Sequence, residues 1–136
     1  MSLFNVFDIS GSGMASQALR MNLTASNMAN ANSVAGSEDE AYKSRHPVFS
    51  ALMQDVNSDG STGVQSLGVV ESQAAHEKRY EPEHPLADEE GYVYASNVNA
   101  VEEMANMISA SRSYRNNIEV LNTSKTLLLE TLKLGE

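Results

Sequence analysis

The chain has 136 residues, which suits a single domain of ordinary size, but only 6% of them are aromatic and none is Trp. With so few large side chains to fill a compact core, the chain is expected to bury much of its apolar surface against other chains. It contains no Cys, which excludes disulfides, thiolate zinc sites and cysteine nucleophiles.

The formal net charge of −9 is concentrated in residues 36–95, whereas the segments on either side are nearly neutral. An acidic surface repels nucleic acid and anionic membranes, so neither is expected as a partner. Residues 1–8 lack the basic and long apolar regions of a secretory signal peptide, and no stretch is apolar enough to span a bilayer. If the chain leaves the cytoplasm, we expect it to do so without a cleaved signal peptide.

The first predicted element is a long helix from about Leu3 to Asn32. Small and apolar residues recur there in alternating steps of four and three, the spacing of a helical seam, at Met14, Ala18, Met21, Ala25 and Met28. Gly11 and Gly13 each weaken a helix by about 1 kcal/mol relative to Ala. The helix therefore either passes through both glycines or follows a separate first turn.

The middle of the chain contains all three Pro residues and most of the turn-forming residues. Val48–Met53, Val64–Val70 and Tyr92–Tyr94 are predicted strands of a small β element, because their apolar residues are short runs bounded by turns. Residues 57–63 are predicted to form a loop with an Asp-Gly turn.

The last predicted element is a helix that begins at Ala100 and ends near Gly135. Asn97 or Asn99 suits its N-cap, and the acidic residues at 102 and 103 suit its first turn. Its seam, in steps of three and four, consists of Met104, Met107, Ser111, Tyr114, Ile118, Leu121, Lys125, Leu128 and Leu132. Further apolar residues beside this seam indicate that the helix needs more than one neighbour.

The two seams predict a mainly α fold with a small β element. In this fold residues 1–35 and 97–136 pair as an antiparallel coiled coil, and residues 36–96 form an acidic insert rich in strands and loops. An ordinary helical hairpin would also explain the seams. It would not explain the extra apolar width or the scarcity of aromatic residues, so assembly with other subunits is favoured.

Two segments of this chain resemble signatures of a known family. Residues 25–32, with the sequence ASNMANAN, resemble the run that closes the first helix in the flagellar rod and hook axial proteins. Residues 97–114 are similar to the C-terminal signature of the same family, and residues 84–93 resemble its short, proximal-rod members. One departure is Ser96, where many relatives carry Pro, which bears on how rigidly the chain enters the last helix.

The resemblance implies a structural protein of the bacterial flagellum with no catalytic activity and no cofactor. It implies export through the flagellar type III apparatus and helical assembly, with copies of itself and other rod proteins, into the periplasmic rod of the basal body. There the subunit would transmit torque for motility. The residues expected to pack the helices or contact neighbouring subunits are Met14, Ala18, Met21, Ala25, Asn27, Met28, Asn30, Asn32, Asn97, Asn99, Met104, Met107, Ser111, Arg112, Tyr114, Ile118, Leu121, Leu128 and Leu132.

Other functions have weaker support in the sequence. A soluble coiled-coil adaptor or secretion chaperone would also carry two long helices, but it would form a closed dimer. His46, His76 and His84 are scattered and lack the spacing of a metal site. Residues 55–60 are similar to the start of a calcium loop but are followed by no acidic residue at the twelfth position. No arrangement of residues supports an enzyme.

Overall fold

The computed structural model describes residues 3–53 and 62–134. The fold is mainly α with a small antiparallel β element between the helices, as predicted. In chain order the elements are α1 Leu3–Ala29, β1 Val34–Ala35, β2 Arg45–Met53, β3 Thr62–Glu71, β4 Lys78–Tyr80, β5 Tyr92–Ala95 and α2 Ala100–Leu134. The predicted Asp59-Gly60 turn and the helix stop at Gly135 lie outside the described residues.

The two helices pack antiparallel along each other. Asn27 of α1 bonds to Glu103 of α2, and Gly13, fourteen residues earlier, lies against Asn117, fourteen residues later. α1 is one continuous helix of 27 residues that passes through Gly11 and Gly13, and α2 has 35 residues. Extrapolation from these contacts carries α2 about two turns past the level of Leu3.

The strands form two separate sheets. β2 and β3 pair as an antiparallel hairpin, with Arg45 opposite Glu71 and a bulge where Val48 and Phe49 face the segment 66–68. β5 lies between β1 and β4 in a three-stranded antiparallel sheet. Of these strands, β2, β3 and β5 were predicted from the sequence, whereas β4 was missed and the residues of β1 were expected only to follow the end of the first helix.

The buried apolar core of the described residues is small. It consists of Ala41, Val93, Ala95 and Ala110, and the largest fully buried side chains are Val93 and Asn27. Burying one Val contributes only about 2 kcal/mol, so this core supplies little of the stability that a domain of this length requires. Many of the larger apolar side chains of the two helices are only half-buried or are exposed.

Candidate assembly interface

The two sequence signatures meet where α1 ends and α2 begins, and Asn27 lies at the centre of this junction. Its side chain has no solvent exposure. Nδ2 donates to the carbonyl oxygen of Arg45 at 2.9 Å and to Oε2 of Glu103 at 3.1 Å. Oδ1 accepts from the backbone N–H of Arg45 at 2.9 Å and from the Tyr42 hydroxyl at 3.0 Å. All four hydrogen-bonding positions of the amide are therefore filled within the chain.

Asn97 makes a second connection at the same junction. Its Oδ1 accepts from the backbone N–H of Ser44 at 2.7 Å, and its Nδ2 donates to the carbonyl oxygen of Ala74 at 2.9 Å. These two backbone groups belong to the loops that flank the β2–β3 hairpin. Asn97 thus attaches both ends of the hairpin to the segment that leads into α2.

Ser96 holds the same segment against the end of α1. Its hydroxyl donates to the carbonyl oxygen of Ala31 at 2.7 Å, and its backbone N–H donates to the carbonyl oxygen of Ser33 at 3.1 Å. A Pro at this position could donate neither bond. Two hydrogen bonds made by Ser96 therefore hold this segment against the end of α1.

The N-cap of α2 is Asn99 rather than Asn97. Oδ1 of Asn99 accepts from the backbone N–H groups of Val101 at 3.1 Å and Glu102 at 3.3 Å. In the same first turn Glu103 is only 3% exposed, and the N-terminal end of the helix favours its negative charge. The cap therefore positions the carboxylate that accepts from Asn27.

The face of α2 that packs on α1 differs from the predicted seam at every second position. The buried or half-buried positions include Glu103, Ala110, Asn117 and Ser124, each one residue before a predicted seam position. Met107, Tyr114, Leu121 and Leu128 belong to both patterns and are half-buried. Small and polar side chains at alternate positions let the two backbones approach closely, which is why Gly13 lies opposite Asn117.

The residues of α1 that pack on α2 likewise lie one position before the predicted seam residues. Arg20 donates from Nη2 to Oδ1 of Asn106 on α2 at 2.9 Å, and Thr24 and Asn27 are buried. The predicted seam residues lie one position later: Met14, Ala18, Met21 and Met28 are half-buried, and Ala25 is exposed. None of these five residues is fully buried in the single chain, so their roles in helix packing or assembly stay predictions.

The remaining residues predicted to make assembly contacts are distributed as follows. Asn30, Asn97 and Ser111 are half-buried, whereas Asn32, Asn99, Met104, Arg112, Ile118 and Leu132 are exposed. Asn27 and Asn30 both bond within the chain, and Asn30 donates to the carbonyl oxygen of Ser26 at 2.8 Å. A role in assembly stays a prediction for all of these residues.

Large apolar side chains on α2 are exposed to solvent. Among them, Val101 is 76% exposed, Ile108 60%, Leu132 62% and Leu134 89%. Among the elements described, α2 contacts α1 and no strand. Apolar side chains of α2 therefore lack cover from the other described elements at several places along the helix.

The β2–β3 hairpin also exposes apolar side chains. Leu67 is 66% exposed and Val70 51%. The hairpin contacts α1, and the Ser12 hydroxyl accepts from the backbone N–H of Val64 at 3.2 Å. This hairpin is a second apolar surface, on a different element from the exposed face of α2.

Three residues of the junction, Tyr42, Arg45 and Glu103, were not predicted from the sequence. Tyr42 and Arg45 lie around the start of β2 in a segment with no periodic pattern, so no local signal identified them. Glu103 was expected only to favour the first turn of the helix, because the polar and small residues at 103, 110, 117 and 124 give no apolar pattern that would mark a packing face.

The three histidines occupy separate places. His46 lies beside the Ser44 hydroxyl at 3.2 Å, Nδ1 of His76 lies 2.8 Å from the carbonyl oxygen of Ala95, and Nδ1 of His84 accepts from the Leu86 N–H at 3.1 Å. Over residues 3–53 and 62–134, no three acidic, His or Cys side chains are grouped as metal ligands would be. The segment 55–60 with the calcium-loop pattern is not among these residues. In the same ranges, neither helix combines the length and apolarity needed to cross a bilayer.

Comparison with known proteins identifies close relatives. The family model of the flagellar basal body rod FlgEFG protein C-terminal region matches residues 89–134. The chain is 49% identical to the flagellar basal-body rod protein FlgC of Salmonella typhimurium, 48% to that of Escherichia coli O6:H1 and 46% to that of Yersinia enterocolitica. Each alignment covers 100% of both chains, so it includes both signatures and the insert between them.

Proposed function

Because the chain belongs to the FlgC family of flagellar basal-body rod proteins, we propose that it is a structural subunit of the basal-body rod that polymerises through its terminal helices. The observation that supports this function best is the exposed apolar face of α2, with Val101, Ile108 and Leu132 each more than half exposed. Apolar side chains that stay exposed along the length of a helix are typical of a protein–protein contact.

The helix pair is proposed to act as an antiparallel coiled-coil core, with residues 36–96 outside it. The contacts of Gly13 with Asn117 and of Arg20 with Asn106 support a close pairing. Apolar residues on the outer faces would then contact neighbouring subunits. Since those faces differ from one another, contacts between copies are head-to-tail, and a rotation that does not close produces a helical tube.

The place of the subunit is proposed to be the periplasmic proximal rod of the flagellum. Export through the flagellar type III apparatus, without a cleaved signal peptide, would deliver it there. The small apolar core supports this route, because a chain with little buried apolar surface resists unfolding less than one with a large core.

Transmission of torque follows from close packing of many such subunits, since packed interfaces resist shear. This function requires no catalytic group and no cofactor. The relatives named above are rod proteins, which agrees with a structural role rather than an enzymatic one.

Removal of the gene and complementation test the function. Cells without the chain should not swim, and the chain should be recovered in purified basal bodies when motility is restored. A complementing variant in which Ile108 is replaced by Asp should fail to restore motility, whereas Glu77→Ala, at an exposed position outside the helices, should restore it. Motile cells without the chain would contradict the proposal.

The adaptor or chaperone alternative predicts a different behaviour in solution. A chaperone gives one small oligomer of constant mass, whereas a rod subunit associates further as its concentration increases. Light scattering over a hundredfold range of concentration separates the two. A sharp dimer at every concentration would favour the chaperone.

A further inference from the structure

A polar crevice of about 300 Å³ lies between α1, β2 and α2. Arg20 from α1, Arg45 from β2 and Asn106 from α2 line it. The crevice is therefore lined by two arginines in a chain whose net charge is −9. The three elements that form it are the ones connected by the Asn27 hydrogen bonds.

Both arginines retain capacity to bind an anion. Arg20 donates from Nη2 to Asn106, and Nε of Arg45 lies 3.4 Å from Oε1 of Glu71 in a pair whose side chains are each about half exposed. A guanidinium group has five N–H donors. Arg20 therefore keeps most of its donors for an occupant that carries carboxylates. Arg45, whose guanidinium also lies 5.7 Å from the centre of the Tyr42 ring, keeps the donors that are not paired with Glu71.

Gln17 adds a second kind of contact. It also lines the crevice, and its Oε1 is buried without a hydrogen-bond partner among the described residues. Rotation of this amide towards an occupant would break no hydrogen bond at Oε1, and it would gain one if the occupant offers an N–H group. A peptide segment rich in acidic residues supplies both carboxylates and N–H groups.

We propose that this crevice binds the Glu89–Glu90 turn of a second copy of the chain. Both glutamates are exposed. Oδ1 of Asp88 accepts from the backbone N–H groups of Glu90 at 3.0 Å and Tyr92 at 2.8 Å, which holds the turn in one conformation. A preordered acidic turn loses less conformational entropy on binding than a flexible one.

The turn comes from another copy because the chain's own turn is remote from its crevice. The turn connects β4 to β5, and these strands contact each other and β1 but none of the three elements that line the crevice. The acidic turn at Glu38 and Asp39 is a poorer occupant, since these residues border a different crevice that already contains Lys43. This contact rests on the proposed function, because only an assembly places one copy's turn beside another's crevice.

Engineered cysteines test the contact in assembled basal bodies. The chain contains no Cys, so His46→Cys, in the crevice, combined with Glu89→Cys, in the turn, introduces the only two thiols. After treatment with a short bis-maleimide, we expect a ladder of covalently linked copies on a denaturing gel. The matched control combines His46→Cys with Glu38→Cys and should give monomer.

The outcomes separate this contact from the proposed function. If both variants reach the basal bodies and neither gives a ladder, or if both give the same ladder, the contact is refuted and the rod function stands. A link from residue 46 or 89 to a protein of another mass would also refute the self-contact. Absence of the chain from basal bodies would refute the rod function, and the contact with it.

Charge reversal provides a second test that needs no cross-linker. Glu89→Lys with Glu90→Lys should remove most of the chain from basal bodies, because lysines would face Arg20 and Arg45. The control Glu38→Lys with Asp39→Lys changes the net charge equally and should leave incorporation within about twofold of the natural chain, as expected for exposed charges away from a contact. Equal loss in the two variants would refute the contact.

Discussion

The two ends of the helix pair differ in how far their side chains are buried and hydrogen-bonded within the chain. Where α1 ends and α2 begins, Asn27 is fully buried and bonded at every position, and Glu103 is 3% exposed. At the opposite end, Leu132 and Leu134 are 62% and 89% exposed. Hydrogen bonds therefore close the junction within the chain, whereas apolar side chains stay exposed along α2, from Val101 near the junction to Leu134 at the far end.

This division has a physical basis. A buried amide needs partners at defined distances and angles, which one folded chain supplies in the same way every time. Apolar contacts are non-directional and tolerate small differences in geometry. In a helical assembly they suit contacts that must form between subunits in slightly different surroundings.

The largest effect on folding should come from Asn27→Ala. The substitution leaves four polar groups of the junction without their buried partner, so we expect the free energy of unfolding to fall by about 3 kcal/mol. Urea denaturation of the full chain, followed by circular dichroism, measures it. Asn32→Ala, at an exposed position of the same signature, should change stability by less than about 0.5 kcal/mol; similar losses in both variants would contradict the comparison.

The next effect concerns the close approach of the helices. A Cβ at Gly13 would lie 3.2 Å from the Asn117 amide, so Gly13→Leu should force the helices apart and lower the free energy of unfolding by about 2 kcal/mol. Gly11→Ala is the matched variant, because no atom lies within 4 Å of its Cβ. It should stabilise the chain by about 0.5–1 kcal/mol through helix propensity alone. Equal effects at the two glycines in thermal denaturation would show that the helices do not pack this closely.

Substitutions at the end of the helix pair near Leu132 and Leu134 should have little effect on folding and a large effect on assembly. Replacing Leu127 and Leu132 by Ser should change the free energy of unfolding of the monomer by less than about 0.5 kcal/mol per site, since both side chains are more than half exposed. The same double variant should abolish motility in complemented cells, because the apolar contact with a neighbour is lost. Normal swimming of cells with the double variant would show that Leu127 and Leu132 make no contact that assembly requires.

The smallest effect should come from the exposed contact between Lys78 and Tyr94, which lies in the three-stranded sheet and not in the helix pair. Interaction with the Tyr94 hydroxyl, first by hydrogen bonding and then by charge, raises the pKa of Lys78 above its ordinary value. The stabilisation that accompanies this shift is present at neutral pH and is lost as the pH rises through the raised pKa. Tyr94→Phe should lower the pKa of Lys78 in an NMR titration, whereas Tyr92→Phe, two residues away on β5, should leave it unchanged.

Elements with a local pattern could be predicted from the sequence. The spacing of apolar residues indicated both long helices, with Ala100 as the first residue of α2, and it indicated β2, β3 and β5. The signatures at residues 25–32 and 97–114 were sufficient to indicate the family. These features depend on residues a few positions apart, whose geometry the backbone period alone determines.

Contacts between distant segments were decided only by the tertiary structure. Asn27 bonds to Tyr42, 15 residues later, and to Glu103, 76 residues later, and no local pattern encodes either pair. The sequence also did not show that the packing face of each helix includes positions one residue before the predicted seam. An apolar stripe has the same period whether it packs on the other helix or on a second subunit. The sequence by itself therefore determined the helices, the main strands and the family, and tertiary packing decided which face of each helix turns inward.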